Sequence, residues 1–294
     1  MAVESGVHTL IVIAASHYVE RARWALDLAG IQYVEDRWPP VLHVFGLRSY
    51  GVVKTTSLPV LVLPSKRKLT DSQDILDYAH AAMGPASPLY PSDPEQLQQP
   101  PGMPGLSVKD LELFISKKLG VMARVMVYQV LFTKRALMLR VIAEAPGTPL
   151  WRIRLFSTLA GLFTFLMRRA MNVNADNAAK CTARVKDIFA FVSGLLADGR
   201  PYLVAGTTRP SAVDITFAAL GAPVVLPPSN YGGSSGVTMM TAEDMGPDFA
   251  AAELRQTMAG QHVLKMYALH RLPAAEAPSP QPAAAPTDSA GAPS

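Results

Sequence analysis

The chain has 294 residues, of which 49% are apolar, and a formal net charge of +4. This length is comfortable for two domains and too long for one small core. A single cysteine excludes an internal disulfide framework and fits a reducing compartment. No stretch reaches the roughly 18 uninterrupted apolar residues of a membrane-spanning helix, and no basic leader precedes the first apolar run. We therefore expect a soluble, cytoplasmic protein.

A strand, a turn and a helix are predicted at the start of the chain. Residues 8–14 form a short apolar run typical of a buried strand, and helical spacing of apolar residues follows as far as Gly30. Ser16, His17 and Tyr18 lie at the turn between the two. The turn adjoins a helix N-terminus, where unpaired amides and the macrodipole favour an anion such as a thiolate.

The next elements complete one α/β unit. Residues 31–37 and 59–63 are predicted to be strands, and Leu69 belongs to a short fourth strand. Thr70 and Gln73 match a capping box, which predicts that a helix opens at Thr70. The order strand, helix, strand, loop, strand, strand, helix is that of a thioredoxin-like fold.

Helical periodicity dominates the second half of the chain. The domains that we predict are a thioredoxin-like domain at 1–84, a proline-rich linker at 85–106, an all-helical domain at 107–272 and a disordered Ala/Pro-rich tail at 273–294. Within the helical domain, helical spacing begins at 107 and continues as one unbroken helix over 121–139. Further helices are predicted at 151–171, 178–196, 211–222 and 249–266.

Positive charge is concentrated between Lys117 and Arg169. This segment contains ten lysines and arginines, and Glu144 is its one acidic residue. Within this basic segment, 151–171 has apolar residues between arginines. This pattern is found both in helices at a membrane surface and in core helices with basic ends. We favour the core helix.

Four motifs carry a resemblance to a known family. The string SHYVERARWALDLAGIQY resembles the first strand and helix of glutathione transferases, in the branch whose active-site turn reads Ser or Cys, any residue, aromatic. SLPVL around Leu58 and Pro59, and the Asp71-Ser72 pair that opens DSQDILDYA, are similar to two later landmarks. SAVD at 211–214 resembles the capping box of the family's C-terminal domain. Together the motifs cover most of the first 220 residues.

The resemblance implies a thioredoxin-like α/β domain followed by an all-α domain, with glutathione as co-substrate. It implies that Pro59 is a cis-proline and that the backbone of Leu58 pairs with the cysteinyl part of glutathione. It also implies that Asp71 takes the ammonium and Ser72 the carboxylate of the γ-glutamyl end. The resemblance makes Ser16 the first choice and Tyr18 the second choice for the donor to the thiolate.

The function expected on these grounds is conjugation of glutathione to a hydrophobic electrophile, a reaction of detoxification. A non-catalytic carrier of an apolar ligand, such as a pigment or tetrapyrrole, stays open as the alternative. We expect glutathione and a small hydrophobic molecule as partners and no nucleic acid. Weak contact with a membrane surface and a homodimer stay open, and the histidines show no metal-ligand spacing.

Several further residues receive structural interpretations. We interpret His17 as an exposed turn residue and Trp24 as packing at the domain boundary. Arg21 and Arg23 are interpreted as solvated, with a contact of either one to the glycyl carboxylate of glutathione as the open alternative. Ser211 and Asp214 are interpreted as a helix cap rather than as part of a site. The lone Cys181 is interpreted as a packing or surface residue.

Overall fold

The structure, a computed structural model, describes residues 4–91, 107–143, 147–228 and 239–271. The predicted tail at 273–294, most of the predicted linker (92–106) and Glu144 lie outside the described residues.

The N-terminal domain is a four-stranded sheet flanked by helices. Its strands are β1 (His8–Val12), β2 (Tyr33–Arg37), β3 (Val60–Val62) and β4 (Lys68–Leu69), and its helices are α1 (His17–Leu28), α2 (His43–Ser49) and α3 (Ser72–Met83). The strand order is β2-β1-β3-β4, with β1 parallel to β2 and antiparallel to β3. Leu10, Ile11 and Val12 of β1 are fully buried, as expected for an apolar central strand. The thioredoxin-like prediction is confirmed.

Helix α3 begins later than the Thr70 capping box predicts. Its N-cap is Asp71, whose backbone is extended and whose carboxylate accepts a hydrogen bond from the N–H of Gln73 at 2.7 Å. The Thr70 prediction is wrong because an aspartate in this position caps more directly than the neighbouring threonine. The correction places the α3 N-terminus at the Asp71-Ser72 pair.

The rest of the described chain is helical, which confirms the all-α prediction. The helices are α4 (Val108–Leu131), α5 (Arg135–Ile142), α6 (Leu150–Ala170), α7 (Ala175–Leu196), α8 (Ala212–Val225), α9 (Ala242–Met245), α10 (Ala251–Gln256) and α11 (Met258–His270). Two predicted continuous helices are each divided. The first breaks between α4 and α5. The second breaks at Thr257, whose hydroxyl accepts a hydrogen bond from the N–H of Gly260 at 3.0 Å and so caps α11.

Helix α8 is the centre of the second domain, because every one of its residues is buried. It packs against α4, α11 and α1, so it contacts both domains. Trp24 of α1 meets Tyr267 of α11 edge to face, with ring centroids 5.1 Å apart. The prediction that Trp24 packs at the domain boundary is confirmed.

Helix α6 has two unlike faces. Phe156, Ala160 and Phe163 are buried against the helical core, so the core prediction holds for that face. The opposite face is apolar and exposed. Among the described residues, α6 is the one helix long and apolar enough to cross a bilayer by length and composition. Only 17% of its most apolar 18-residue stretch is buried.

Buried ion pairs join α1 to its surroundings, so the prediction that Arg21 and Arg23 are solvated is wrong. Arg21 donates to Glu112 Oε1 of α4 at 2.7 Å. Arg23 donates through Nε to Glu35 Oε1 of β2 at 2.6 Å. Neither arginine is more than 1% exposed. Charged side chains at this depth require partners, and those partners lie too far away in sequence for the pattern of α1 to reveal them.

Candidate functional site

Ser16 lies where the first strand gives way to the first helix. It is the N-cap residue of α1, with φ −77° and ψ 121°, yet its hydroxyl makes no capping hydrogen bond. Within the described part of the chain, this hydroxyl has no hydrogen-bond partner, and the side chain lines a large cavity. The Ser16 hydroxyl is therefore free to donate to a ligand.

Tyr18 directs its hydroxyl away from such a role. The hydroxyl donates to the carbonyl oxygen of Ser116 on α4 at 3.0 Å. Burial raises the pKa of Tyr18, which keeps the phenol protonated. Tyr18, the second choice for the thiolate donor, therefore already donates its hydroxyl proton to a residue of the other domain.

His17 is 5% exposed, so the prediction of an exposed turn residue is wrong. Its Nε2 lies 2.8 Å from the carbonyl oxygen of Gly120. Because a carbonyl can only accept, this geometry assigns the proton to Nε2 and leaves Nδ1 with a lone pair. Burial, with Arg124 adding to it, lowers the pKa of His17 to about 3. The imidazole is neutral at pH 7 because α4 of the second domain covers the turn.

The other residues implied by the resemblance lie close to Ser16 in space. The Leu58–Pro59 peptide bond is cis, as expected, and Leu58 lines the same cavity as Ser16. Asp71 and Ser72, at the start of α3, line it too. Ser72 is 4% exposed, and its hydroxyl has no hydrogen-bond partner among the described residues. Pro59 follows Leu58 without lining the cavity.

The cavity has a volume of about 830 Å³ and extends from these polar groups into the helical domain. Its N-terminal-domain wall carries Ser16, Leu58, Asp71 and Ser72. The opposite wall is mainly apolar and is formed by Val127, Leu131, Val141, Ile142, Phe163, Met167, Pro223 and Met240, among others. A cavity of this size, with few polar groups at one end, is typical of a small-molecule site.

The charged residues of the cavity wall are few. Lys117 and Arg124 contribute cations from α4, and Asp71 is the one carboxylate among the described lining residues. In the described ranges, no group of three histidine, cysteine, aspartate or glutamate side chains could hold a metal ion.

Sequence reasoning missed the helical wall, including Arg124 and Phe163. No signal in the sequence could have found it. Both residues fit ordinary amphipathic helices, and only the packing of α4 and α6 over the sheet edge turns them towards the cavity.

A network of hydrogen bonds next to the site joins α1, α3, α4 and α8. Glu112 of α4 accepts from Arg21 at 2.7 Å and from the hydroxyl of Thr216 on α8 at 2.8 Å. Arg21 also donates to Gln73 Oε1 at 3.3 Å, next to Ser72. Burial raises the pKa of Glu112 although Arg21 opposes this. The network fixes the start of α3 relative to the helical domain.

Residues 10–87 match the family described as "Glutathione S-transferase, N-terminal domain". The N-terminal domain of the chain therefore belongs to this family. The match covers β1 from Leu10 onwards, the Ser16 turn, the Leu58–Pro59 bond and the whole of α3. A comparison with curated proteins found no match.

Solved glutathione S-transferases share the architecture of both described domains. One from Pseudomonas fluorescens is 16% identical, with 92% of this chain and 99% of that chain covered and a TM-score of 0.53. One from Ceriporiopsis subvermispora, in complex with glutathione, is 15% identical, with 89% and 95% covered and a TM-score of 0.53. One from Phanerochaete chrysosporium is 13% identical, with 91% and 98% covered and a TM-score of 0.52. At these identities the likeness shows the fold: a thioredoxin-like domain followed by a helical domain.

Proposed function

We propose that this glutathione S-transferase family member conjugates glutathione to a hydrophobic electrophile by stabilising the bound thiolate. The observation that carries the proposal is the contrast between two hydroxyls. The Ser16 hydroxyl lines the cavity without a partner among the described residues, whereas the Tyr18 hydroxyl donates to the Ser116 carbonyl oxygen. Ser16 is therefore the donor to the thiolate.

The energetics of this role are reasonable. A free thiol has a pKa near 8.5, so lowering it by about two units requires roughly 2.7 kcal/mol in favour of the thiolate. A hydrogen bond to a charged group contributes about 1.5 to 3 kcal/mol. The N-terminus of α1, which Ser16 precedes, adds up to about 1 kcal/mol. One hydroxyl and one helix end can together supply the stabilisation.

Glutathione binds along the N-terminal-domain wall in this proposal. The Leu58 backbone pairs with the cysteinyl backbone, and Pro59 supports that turn. Ser72 and the free amides of α3 take the γ-glutamyl carboxylate, while Asp71 takes the ammonium. The support for these roles is that Leu58, Asp71 and Ser72 line the same cavity as Ser16.

The electrophile occupies the apolar part of the cavity, against residues such as Val127 and Phe163. Exclusion of water there favours attack of the thiolate sulfur on the electrophilic carbon, where the carbon–sulfur bond forms as a leaving group departs with its electron pair or a π bond opens. A cytoplasmic location and a part in detoxification go with this chemistry, and the homodimer stays a prediction. The relative in Ceriporiopsis subvermispora was crystallised with glutathione, which supports glutathione as the co-substrate.

Turnover tests the proposal. With glutathione and 1-chloro-2,4-dinitrobenzene, we expect conjugation by the parent and a roughly 10- to 1000-fold slower rate in Ser16→Ala, the range for loss of one preorganised donor. Ser157→Ala is the matched control, because the Ser157 hydroxyl bonds to the Ile153 carbonyl of its own helix, and it should keep the parental rate. Tight binding of glutathione with no conjugation of any apolar electrophile would instead support the non-catalytic carrier.

A further inference from the structure

Arg124 is a cation of the cavity wall that has no counter-ion among the described residues. It lies on α4 and lines the cavity. Among the described residues it makes no hydrogen bond or ion pair, and its Nε atom is buried with no partner. By contrast, Arg21 of α1 is paired with Glu112 at 2.7 Å. A partly buried guanidinium without an anion is energetically unfavourable. An anionic ligand in the cavity would therefore be stabilised by an ion pair with Arg124.

In the part of the chain that the structure describes, the surroundings of Arg124 offer no internal anion. Burial lowers the pKa of His17, and the charge of Arg124 adds to that effect. Burial raises the pKa of Tyr18 and of Tyr128, and Arg124 opposes the rise without reversing it. All three groups are therefore neutral at pH 7. Asp71 is the one carboxylate of the described cavity lining, and it already accepts from the N–H of Gln73 at the opposite wall.

We propose that Arg124 binds an acid group on the second substrate, so that the preferred electrophile is an apolar molecule carrying a carboxylate or sulfonate. The conjugation of such an electrophile rests on the proposed function. The binding of its acid group by Arg124 does not. Arg124 lies on the helical-domain wall with Val127 and Tyr128, the side given to the electrophile, whereas Leu58 and Ser72 hold glutathione from the sheet side. Arginine suits this role because its planar fork matches a carboxylate in two hydrogen bonds.

Calorimetry with decanoate and decanol tests the binding without any chemistry. In Arg124→Gln, we expect decanoate affinity to fall roughly 10- to 100-fold, as for loss of a charged hydrogen bond, and decanol affinity to stay within about two-fold. Arg124→Lys should restore part of the decanoate affinity. Arg154→Gln removes an exposed charge outside the cavity and should leave both affinities at the parental value.

The other outcomes each overturn the proposal. Equal effects of Arg124→Gln on decanoate and decanol would mean a packing role, and absence of decanoate binding to the parent would mean no such site. A fall in glutathione affinity with decanoate unaffected would assign Arg124 to a carboxylate of glutathione. Because these measurements need no turnover, a protein that binds decanoate through Arg124 but conjugates nothing would refute the proposed reaction and leave this inference standing.

A separate observation concerns the exposed face of α6. Trp151, Leu155, Leu162 and Phe165 recur at helical spacing and are between 43% and 64% exposed. None of the four lines the cavity. A contiguous apolar patch of this kind on a soluble fold marks an interaction surface.

The charges of α6 distinguish between a second copy of the chain and a lipid surface as the partner of its exposed face. The helix contains four arginines and no carboxylate, and Arg154 and Arg169 are exposed. If two copies paired antiparallel through this face, Arg154 of each would approach Arg169 of the other, and the like charges would repel. An anionic lipid surface instead complements the arginines while the apolar side chains enter the headgroup boundary. We infer that the exposed face of α6 binds an anionic membrane surface.

Flotation with lipid vesicles tests this inference. We expect the parent to float with phosphatidylcholine vesicles that contain phosphatidylserine and not with pure phosphatidylcholine. Replacement of both Leu162 and Phe165 by serine, or Arg154→Glu combined with Arg169→Glu, should abolish flotation. Leu269→Ser, at a 65% exposed residue of α11, is the control and should float as the parent does. Failure of the parent to float, or a dimer in light scattering that the Leu162 and Phe165 replacements dissociate, would overturn the inference.

Discussion

The ring of Tyr18 lies directly against the backbone of Gly120, so close that a Cβ atom at Gly120 would be 2.6 Å from the ring carbon Cζ. The two residues belong to α1 and α4, in different domains. Alanine normally stabilises a helix interior by about 1 kcal/mol relative to glycine. We expect the opposite sign here. Gly120→Ala should lower the free energy of unfolding by about 1 to 3 kcal/mol because of overpacking, as measured by denaturant unfolding.

Gly161→Ala is the control for this prediction. Gly161 lies within α6, and a Cβ atom there would meet nothing within 4 Å. It should therefore raise the free energy of unfolding, by up to about 1 kcal/mol. If both substitutions changed stability by the same amount and sign, the close contact of Tyr18 with Gly120 would be refuted.

Ser72 provides a test of glutathione binding that is independent of turnover. Ser72→Ala should weaken glutathione binding by about 1 to 2 kcal/mol, because one hydroxyl donor to the γ-glutamyl carboxylate is lost. Isothermal calorimetry measures the difference, with Ser49→Ala, whose hydroxyl bonds to Gly46, as the control. Equal affinity of Ser72→Ala and the parent would remove Ser72 from the site.

Asp214 and Ser211 stabilise the central helix α8. The Asp214 carboxylate is fully buried and accepts from the N–H and hydroxyl of Ser211, from the N–H of Leu203, and from His262, at 2.7 to 2.9 Å. Ser211→Ala should lower the free energy of unfolding by about 0.5 to 2 kcal/mol, and Asp214→Ala by about 3 to 5 kcal/mol, since His262 and the N–H groups lose their acceptor.

Activity per folded molecule separates a structural role from a catalytic one at Ser211. Thermal unfolding should show the loss of stability in Ser211→Ala, while the folded fraction keeps the parental rate. A Ser211→Ala protein with the parental melting temperature and no activity would contradict the structural interpretation.

The buried imidazole of His17 makes stability depend on pH. Its pKa is about 3 in the folded protein and about 6.5 in an unfolded chain. Between these values the unfolded chain binds a proton that the folded chain does not, so the free energy of unfolding falls as the pH drops below about 6.5. His17→Gln cannot titrate but can still donate to the Gly120 carbonyl. From pH 7 to pH 5 the parent should lose more stability than His17→Gln, and equal losses would show that His17 does not titrate as described.

The sequence predicted the N-terminal domain well because its signals are local. The apolar β1 run and the glycine after α1 each specify conformation within a few residues, and the strand and the helix end that they predict are present. The cis bond at Leu58-Pro59 was expected from the family resemblance and is present as well. The sequence predicts the start of α3 one residue too early, because Thr70 and Asp71 both have capping chemistry and only the backbone conformation decides between them.

Long-range packing explains what the sequence could not predict. The partners of Arg21 and Arg23 lie on α4 and β2, so their burial depends on how the domains meet. The same is true of His17, which looks like an exposed turn residue until α4 covers it. For α6, the apolar composition predicted a core helix, but its residues are divided between a buried face and an exposed face that periodicity alone does not assign.

The pKa of the glutathione thiol in the complex tests the central claim most directly, because Ser16 is proposed to act on the thiolate itself. Ultraviolet absorbance of the thiolate, followed from pH 5 to pH 10, gives this pKa for the parent, Ser16→Ala and Tyr18→Phe. We expect the parent complex to titrate about two pH units below the free thiol. Ser16→Ala should return the thiol pKa to near the free value of about 8.5, and Tyr18→Phe should leave it at the parental value. A thiol pKa that is unchanged in Ser16→Ala but raised in Tyr18→Phe would contradict the account and transfer the role to Tyr18.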